Sequence, residues 1–368
     1  LVHVTAFLEQ DRGFQRALTK YEIGIAPSLP TARMNPIPAG ASWNLPTIES
    51  AGQLADWLCL SPGELDWLAD LRGMNLGASE NYHYRAQRKR SGGVRLVEAP
   101  KLRLKAAQQR ILHDILDKIP PHPSAHGFVV GRSIQTFASP HVTKPVILKM
   151  DLQDFFANIG RPRIQALFRT LGYPESLADL LGALCTNAVP KAVCRTLKAS
   201  AELYNRPHVP QGAPTSPALA NVCAYRADCR LTGLARSAGL DYTRYADDLA
   251  FSGDRVSSTF TAHVTAILKE EGFTVNHRKT RLMRQGVKQR LVGLVTNQHL
   301  NVDRQEWDRL KATLTNCVRQ GPDTQNRKAH PHFRLHLEGR IAFVASVNVA
   351  KGRKLREIFE RIEWPPST

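Results

Sequence analysis

Tyr242-Thr243-Arg244-Tyr245-Ala246-Asp247-Asp248-Leu249-Ala250-Phe251-Ser252 is the stretch on which the fold turns. Two short strand-like runs flank an Asp-Asp turn, and the pattern predicts a β-hairpin with the aspartates at its tip. Adjacent aspartates repel one another unless a cation sits between them. By itself such a pair is an ordinary surface turn, so the neighbouring segments decide the matter. Upstream, Val146-Ile147-Leu148-Lys149-Met150-Asp151-Leu152-Gln153-Asp154-Phe155-Phe156 reads as an apolar strand that delivers Asp151 and Asp154 near its end. Between the two lies Pro210-Gln211-Gly212-Ala213-Pro214-Thr215-Ser216-Pro217, a constrained loop that opens an apolar helix from Ala218 to Tyr225. A third carboxylate on a strand beside the hairpin completes a cage for hard divalent ions. Two magnesium ions held this way activate an attacking hydroxyl and stabilise a leaving pyrophosphate, the chemistry of nucleotidyl transfer.

In this order, the three segments resemble the reverse transcriptases. Tyr245-Ala246-Asp247-Asp248 is similar to their YxDD signature, and Gln211-Gly212 with Ser216-Pro217 to their QGxxxSP element. Asp151 stands where their first catalytic aspartate stands, and Gly272-Phe273 to Lys279-Thr280 resembles the segment after the hairpin. The resemblance spans roughly residues 50–362. Ala125-His126-Gly127-Phe128, Gly131-Arg132-Ser133-Ile134 and Gln211 to Asn221 are similar to bacterial members. The sequence ends soon after the region that resembles a thumb, with no stretch expected to form a maturase, endonuclease or ribonuclease H domain. The best match is the retron reverse transcriptases. Two of their signatures are altered. Phe137-Ala138-Ser139-Pro140-His141 stands in place of NAxxH, and Leu291-Val292-Gly293 in place of VTG. The resemblance ties both elements to RNA recognition.

The resemblance implies an α+β fold, a right-hand polymerase with fingers at 47–148, a split-βαβ palm at 149–300 that lends the segment 160–210 to the fingers, and a helical thumb at 301–368. Outside the resemblance, residues 1–46 are expected to be an N-terminal extension and, from their proline density, a linker or strap. Asp151, Asp247 and Asp248 are the implied catalytic residues and ligands of two Mg2+ ions. Asp154 and Phe155 follow at the spacing where backbone N–H groups meet a triphosphate, and Phe156 is the implied steric gate against a ribose 2′-hydroxyl. Gln211 touches the incoming nucleotide, with Gly212 allowing close backbone approach. Arg95 and Lys101 clamp phosphates, Lys279 protonates the leaving pyrophosphate, and Tyr245 supports the primer end.

The remaining chain is consistent with this frame. In 368 residues, 50 Lys and Arg stand against 32 Asp and Glu, a formal charge of +18 that suggests a phosphate polymer as partner. No run approaches the ~20 apolar residues of a membrane span, and Glu9, Asp11 and Arg12 interrupt the N-terminus too early for a signal-peptide core. Six cysteines without a C-x-x-C pair are neither a disulfide framework nor a structural zinc site. A cytoplasmic location is expected. His330, His332 and His336 read as part of a basic surface. Arg85, Arg88, Lys89 and Arg90 lead into a Ser91-Gly92-Gly93 turn and a strand at Val94–Val97. Ser61-Pro62-Gly63-Glu64 and Asp303-Arg304-Gln305-Glu306 read as capping boxes. Apolar stripes at Trp307–Val318, Phe333–Val344 and Leu355–Ile362 predict three packed helices. Residues 185–209 read as a polar, basic insertion.

The expected activity is RNA-directed DNA synthesis on a dedicated structured non-coding RNA. The resemblance implies an RNA-linked single-stranded DNA product and a role in anti-phage defence with an effector protein. The alternatives are another bacterial defence or group II intron-like reverse transcriptase and, from a different class, a non-catalytic RNA-binding scaffold. Three clustered carboxylates near RNA phosphates argue against the scaffold.

Overall fold

The computed structural model describes residues 10–20, 32–71, 81–88 and 92–364. Pro27, Pro30, the basic pair Lys89-Arg90, Ser91 and the Pro365-Pro366 stop lie outside the described residues.

Its centre is a four-stranded antiparallel sheet of β3 (Val146–Asp151), β4 (Asp241–Tyr245), β5 (Asp248–Gly253) and β6 (Arg281–Arg284), in the order β4-β5-β3-β6. The helix Ser216–Ser237 carries the chain into β4, and Ser258–Glu270 carries it from β5 to β6. Strands β3 and β4 therefore run parallel with β5 between them, and β5 and β6 run parallel with β3 between them. This is a pair of interlocked split βαβ units. Strand alternation gives the sheet two different faces. Leu148, Met150, Leu249 and Phe251 point into the main core with Leu219, Cys223, Leu231, Val264 and Leu268 of the two helices. Each such burial is worth about 1.5–3 kcal/mol. Ile147 and Ala250 face the other way, onto Phe137, Leu291 and Leu294. Asp151 and Asp248 share that second face by the same two-residue period, and they pair directly across the strands.

Three smaller units surround the sheet. A hairpin of β1 (Tyr82–Arg88) and β2 (Val94–Pro100) stands beside the Gln211 loop, and the Glu98 N–H donates to the Gln211 carbonyl at 2.9 Å. Gly212, at φ 133°, permits this contact, because a Cβ there would lie 2.9 Å from the Glu98 carbonyl oxygen. The polar insertion folds onto the hairpin as two short helices, Lys191–Thr196 and Ala201–Tyr204, which bury Val189, Cys194 and Tyr204 against Leu96. Helices Arg304–Gln320, Phe333–Val347 and Val349–Phe359 form a separate cluster around Leu314, Ile341 and Leu355, as the apolar stripes predict.

Three local expectations are settled by packing. Of the proline-rich stretch, the described part is a strap. Met34, Trp43 and Leu45 lie on the main core, and the Asn35 N–H donates to Gly172 at 2.8 Å. Ser61 and Glu64 form the expected capping box. Asp303 caps its helix through Gln305, but Glu306 does not reach back. Instead it accepts from Arg290 at 2.9 Å. Among the described residues, no helix is long and apolar enough to cross a membrane.

Candidate active site

The hairpin expected from the sequence is present, but its two turn residues are Ala246 and Asp247 rather than the two aspartates: Asp248 already opens β5, paired with Tyr245. Ala246 adopts φ 53°, a left-handed conformation that a residue with a Cβ holds only under constraint. The constraint comes from a buried charged network. Arg244 Nη1 donates to the Ala246 carbonyl at 3.1 Å and to Asn221 Oδ1 at 3.1 Å. Its Nε and Nη2 donate to the two oxygens of Asp228 at 2.8 and 2.6 Å, and the Tyr242 hydroxyl donates to Asp228 at 2.7 Å. Arg244 and Asp228 are fully buried, so each charge depends on the other. From the far side, the Gly127 backbone presses on the turn: a Cβ there would lie 2.5 Å from the Ala246 nitrogen. Reading the sequence motif by motif missed Arg244 and Asp228. The available signal was a charge between the strand-forming residues Thr243 and Tyr245 and another on the apolar face of a helix.

Asp151, Asp247 and Asp248 line one open cavity of about 800 Å³. Lys279 Nζ donates to both oxygens of Asp151, at 2.8 and 3.1 Å, and Lys149 Nζ lies 2.8 Å from Asp248 Oδ1. Burial pushes the Asp247 carboxyl above its ordinary pKa, and the charges of Asp248 and then Asp151 push it the same way. Asp151, Asp247 and Asp248 together offer the cavity an all-oxygen, negatively charged donor set of the kind that fits hard divalent cations. Among the described residues, no three His, Cys, Asp or Glu side chains stand close enough to form a ready-made metal cluster. Asp151 and Asp248 each have a lysine as their ion-pair partner.

Arg95, Asp154, Phe155, Phe156, Gln211, Lys279 and Tyr245 line the same cavity. Lys101 does not. It is exposed and immediately precedes the helix Leu102–Asp114. Gly212 is also absent from the wall, and its close approach is to β2 rather than to the cavity. The Phe155 ring is buried against Phe273 at 5.7 Å, which leaves only its backbone for a ligand. Among the described residues, the N–H groups of Phe155 and Phe156 have no backbone partner, and the preceding Asp154 adopts φ 46°. Unpaired N–H groups beside a left-handed residue suit an anion. Phe156 is half-buried with its ring 6.1 Å from that of Phe128.

The two altered signatures part company. Phe137 and His141 are fully buried behind the hairpin, where neither can touch RNA. The Thr243 hydroxyl donates to the Phe137 carbonyl, so it accepts from His141 Nε2 at 2.7 Å, while Ser252 donates to Nδ1 at 2.6 Å. Burial pushes the His141 pKa down to about 4, in keeping with a neutral ring. The residues here brace the sheet. Val292, in contrast, lines the cavity at φ 39°.

The family model for reverse transcriptase (RNA-dependent DNA polymerase) matches residues 87–306. The chain is 45% identical to the retron Mx65 reverse transcriptase of Myxococcus xanthus over 273 residues, 73% of this chain and 61% of that protein. It is 35% identical to the retron Mx162 reverse transcriptase of the same organism over 84% of this chain and 66% of the relative. To the retron Ec86 reverse transcriptase of Escherichia coli it is 30% identical, over 73% of this chain and 77% of the relative. The chain thus spans somewhat under two thirds of the two Myxococcus relatives.

Proposed function

The chain belongs to the reverse transcriptase family and, within it, to the retron reverse transcriptases; on that premise we propose that it is an RNA-directed DNA polymerase. The observation that carries this reading is the convergence of Asp151, Asp247 and Asp248 on the cavity that also holds Arg95, Gln211 and Phe156. The reverse transcriptase match implies the right-hand fold. We assign the β1–β2 hairpin and its surrounding helices to fingers (47–148, with 160–210), the four-stranded sheet to the palm (149–300) and the C-terminal helices to the thumb (301–368).

In the reaction, the primer's terminal hydroxyl oxygen forms a bond to the α-phosphorus of a deoxynucleoside triphosphate. The bond from that phosphorus to the bridging oxygen breaks, and pyrophosphate leaves. Asp151, Asp247 and Asp248 would hold the magnesium ions, which when bound lower the pKa of the attacking hydroxyl and neutralise the leaving group. Arg95, exposed on the cavity wall, and the N–H groups of Phe155 and Phe156 meet the triphosphate. Gln211 is fixed against β2 through its carbonyl, which orients its side chain toward the base or sugar. Lys279 has two tasks: it holds Asp151 before the ions bind and is then free to give a proton to pyrophosphate. Extension of a DNA primer on RNA with labelled deoxynucleotides and magnesium tests this reading, and no incorporation would overturn it.

Phe156 occupies the wall beside the incoming sugar. Phe156→Val should shift the ratio of kcat/KM for deoxy- over ribonucleotides toward ribonucleotides by about tenfold or more, on the scale of ~1.4 kcal/mol per tenfold. Unchanged discrimination in single-nucleotide kinetics would return Phe156 to a packing role.

The finer proposal is that the template is a dedicated structured non-coding RNA. A 2′-hydroxyl within that RNA primes synthesis, and the RNA-linked single-stranded DNA serves anti-phage defence with an effector protein. Membership among the retron enzymes supports it. DNA co-purifying with the protein is expected to be joined to RNA by a 2′–5′ linkage that a debranching enzyme releases. DNA with a free 5′ end, or attached to protein, would sink the retron mode of priming and leave the polymerase reading standing.

A further inference from the structure

Phe128 combines three features that no packing requirement explains. It is a bulky aromatic at φ 61°, a conformation that costs a residue with a Cβ of order 1–3 kcal/mol. Its side chain is not used to fill the core, since the residue is 49% exposed. It also lines the cavity of the three aspartates. A strained, half-exposed phenylalanine is the reverse of what folding alone selects, because it keeps both the strain and an unburied apolar ring.

The surrounding chain holds it there. Asn221 donates to the Gly127 carbonyl at 2.9 Å, and Gly127 sits too close to the Ala246 nitrogen to carry a side chain. On the other side, Arg132 donates to the carbonyls of His122 and Pro123 at 3.0 and 2.8 Å, closing the loop beneath Phe128. The backbone that carries Phe128 is therefore anchored to the catalytic turn through Gly127. The ring lies 6.5 Å from that of Tyr245 and 6.1 Å from that of Phe156, tilted to both. It thus spans the gap between the side chain assigned to the primer end and the one assigned to the incoming sugar.

We infer that Phe128 is a platform for the terminal base pair of the primer–template duplex, packing its exposed face against the bases where the next nucleotide is added. This rests on the polymerase reading and adds a binding residue to it. The chemistry is that of an aromatic ring on a nucleobase, which tolerates any sequence because every base has a π-face.

The test compares the unaltered protein with Phe128→Ala, Phe128→Trp and Phe128→Gly. Anisotropy measures the affinity for a labelled DNA primer on an RNA template, alongside melting temperatures and single-nucleotide extension. Phe128→Ala should weaken duplex binding by about tenfold, while Phe128→Trp should stay near the unaltered value. Phe128→Gly should bind as poorly as Phe128→Ala yet melt no lower than the unaltered protein, since glycine is at ease at positive φ. A purely structural ring would instead lower the melting temperature in both. With abasic nucleotides in the terminal pair, the unaltered protein and Phe128→Ala should bind alike. Equal affinity of Phe128→Ala and the unaltered protein on the intact duplex would overturn the inference, as would an undiminished difference on the abasic one. The unaltered protein's own extension of the primer is the control for the polymerase reading. If extension succeeds and the Phe128 series is flat, only the platform falls. If the unaltered protein neither binds nor extends the duplex, both fall.

Discussion

Asp247→Asn is expected to reduce DNA synthesis by at least about 10³-fold, equivalent to ~4 kcal/mol of barrier, while the metal-free protein melts no lower than before. The first effect follows from removing one negative oxygen from a three-carboxylate site. The second follows from electrostatics in the folded state. Burial and the charges of Asp248 and Asp151 raise the Asp247 pKa above its unfolded value. The folded protein therefore binds more protons than the unfolded one between those two values, and stability falls as pH rises through that window. Above the folded pKa the ionised Asp247 is a standing cost, which asparagine removes. Magnesium should raise the melting temperature of the unaltered protein by relieving the same repulsion, and should do so less for Asp247→Asn. Retention of polymerase activity by the variant would overturn the site assignment. A lower melting temperature without metal would show that the carboxylate is instead held by favourable contacts.

Breaking the pair behind the hairpin should be the largest stability effect. Asp228→Ala leaves the Arg244 guanidinium buried without its carboxylate, a loss of about 3–5 kcal/mol. The Tyr242 hydroxyl loses its acceptor as well. The double variant Arg244→Met with Asp228→Leu removes both charges and should recover most of that stability, because apolar replacements of a buried pair are often neutral or better. It should not recover activity. The Ala246 carbonyl still lacks the donor that holds the turn at positive φ, and Asp247 is the other residue of that turn. Urea unfolding read beside primer extension separates the two. If the double variant is stable and fully active, the pair serves only to fill the core, and Arg244 has no part in aiming the aspartates.

Local pattern made much of this molecule legible. The apolar run Val146–Met150 and the Tyr242–Ser252 stretch specify strands, and the Asp-Asp step marks the turn to within one residue, since the turn itself is Ala246-Asp247. The stripes from Trp307 to Ile362 specify three helices because a 3.6-residue period leaves one face to bury. The same segments, taken in order, name the carboxylates, Gln211 and Phe156, because these chemistries sit next to turn and strand signals that a short window contains.

What the sequence by itself determined, then, is which elements form, which residues carry the charge that chemistry needs, and to which family the chain belongs. Only the tertiary structure decided which of these residues meet. Lys101 sits near Arg95 in sequence yet does not line the cavity; it falls where the hairpin gives way to a helix. His141 and Phe137 lie behind the sheet, and Lys149 and Lys279 take up Asp248 and Asp151. Arg244 and Asp228, 16 residues apart, became one buried pair. The Glu98 carboxylate, fully buried, accepts from Asn187 at 2.7 Å and meets His208 Nε2 at 2.9 Å, tying the polar insertion to the hairpin. For the buried pairs the physical reason is one and the same. A charged or polar side chain in an apolar environment is stable only beside its complement, and that complement is supplied by a distant segment that no local period or motif records.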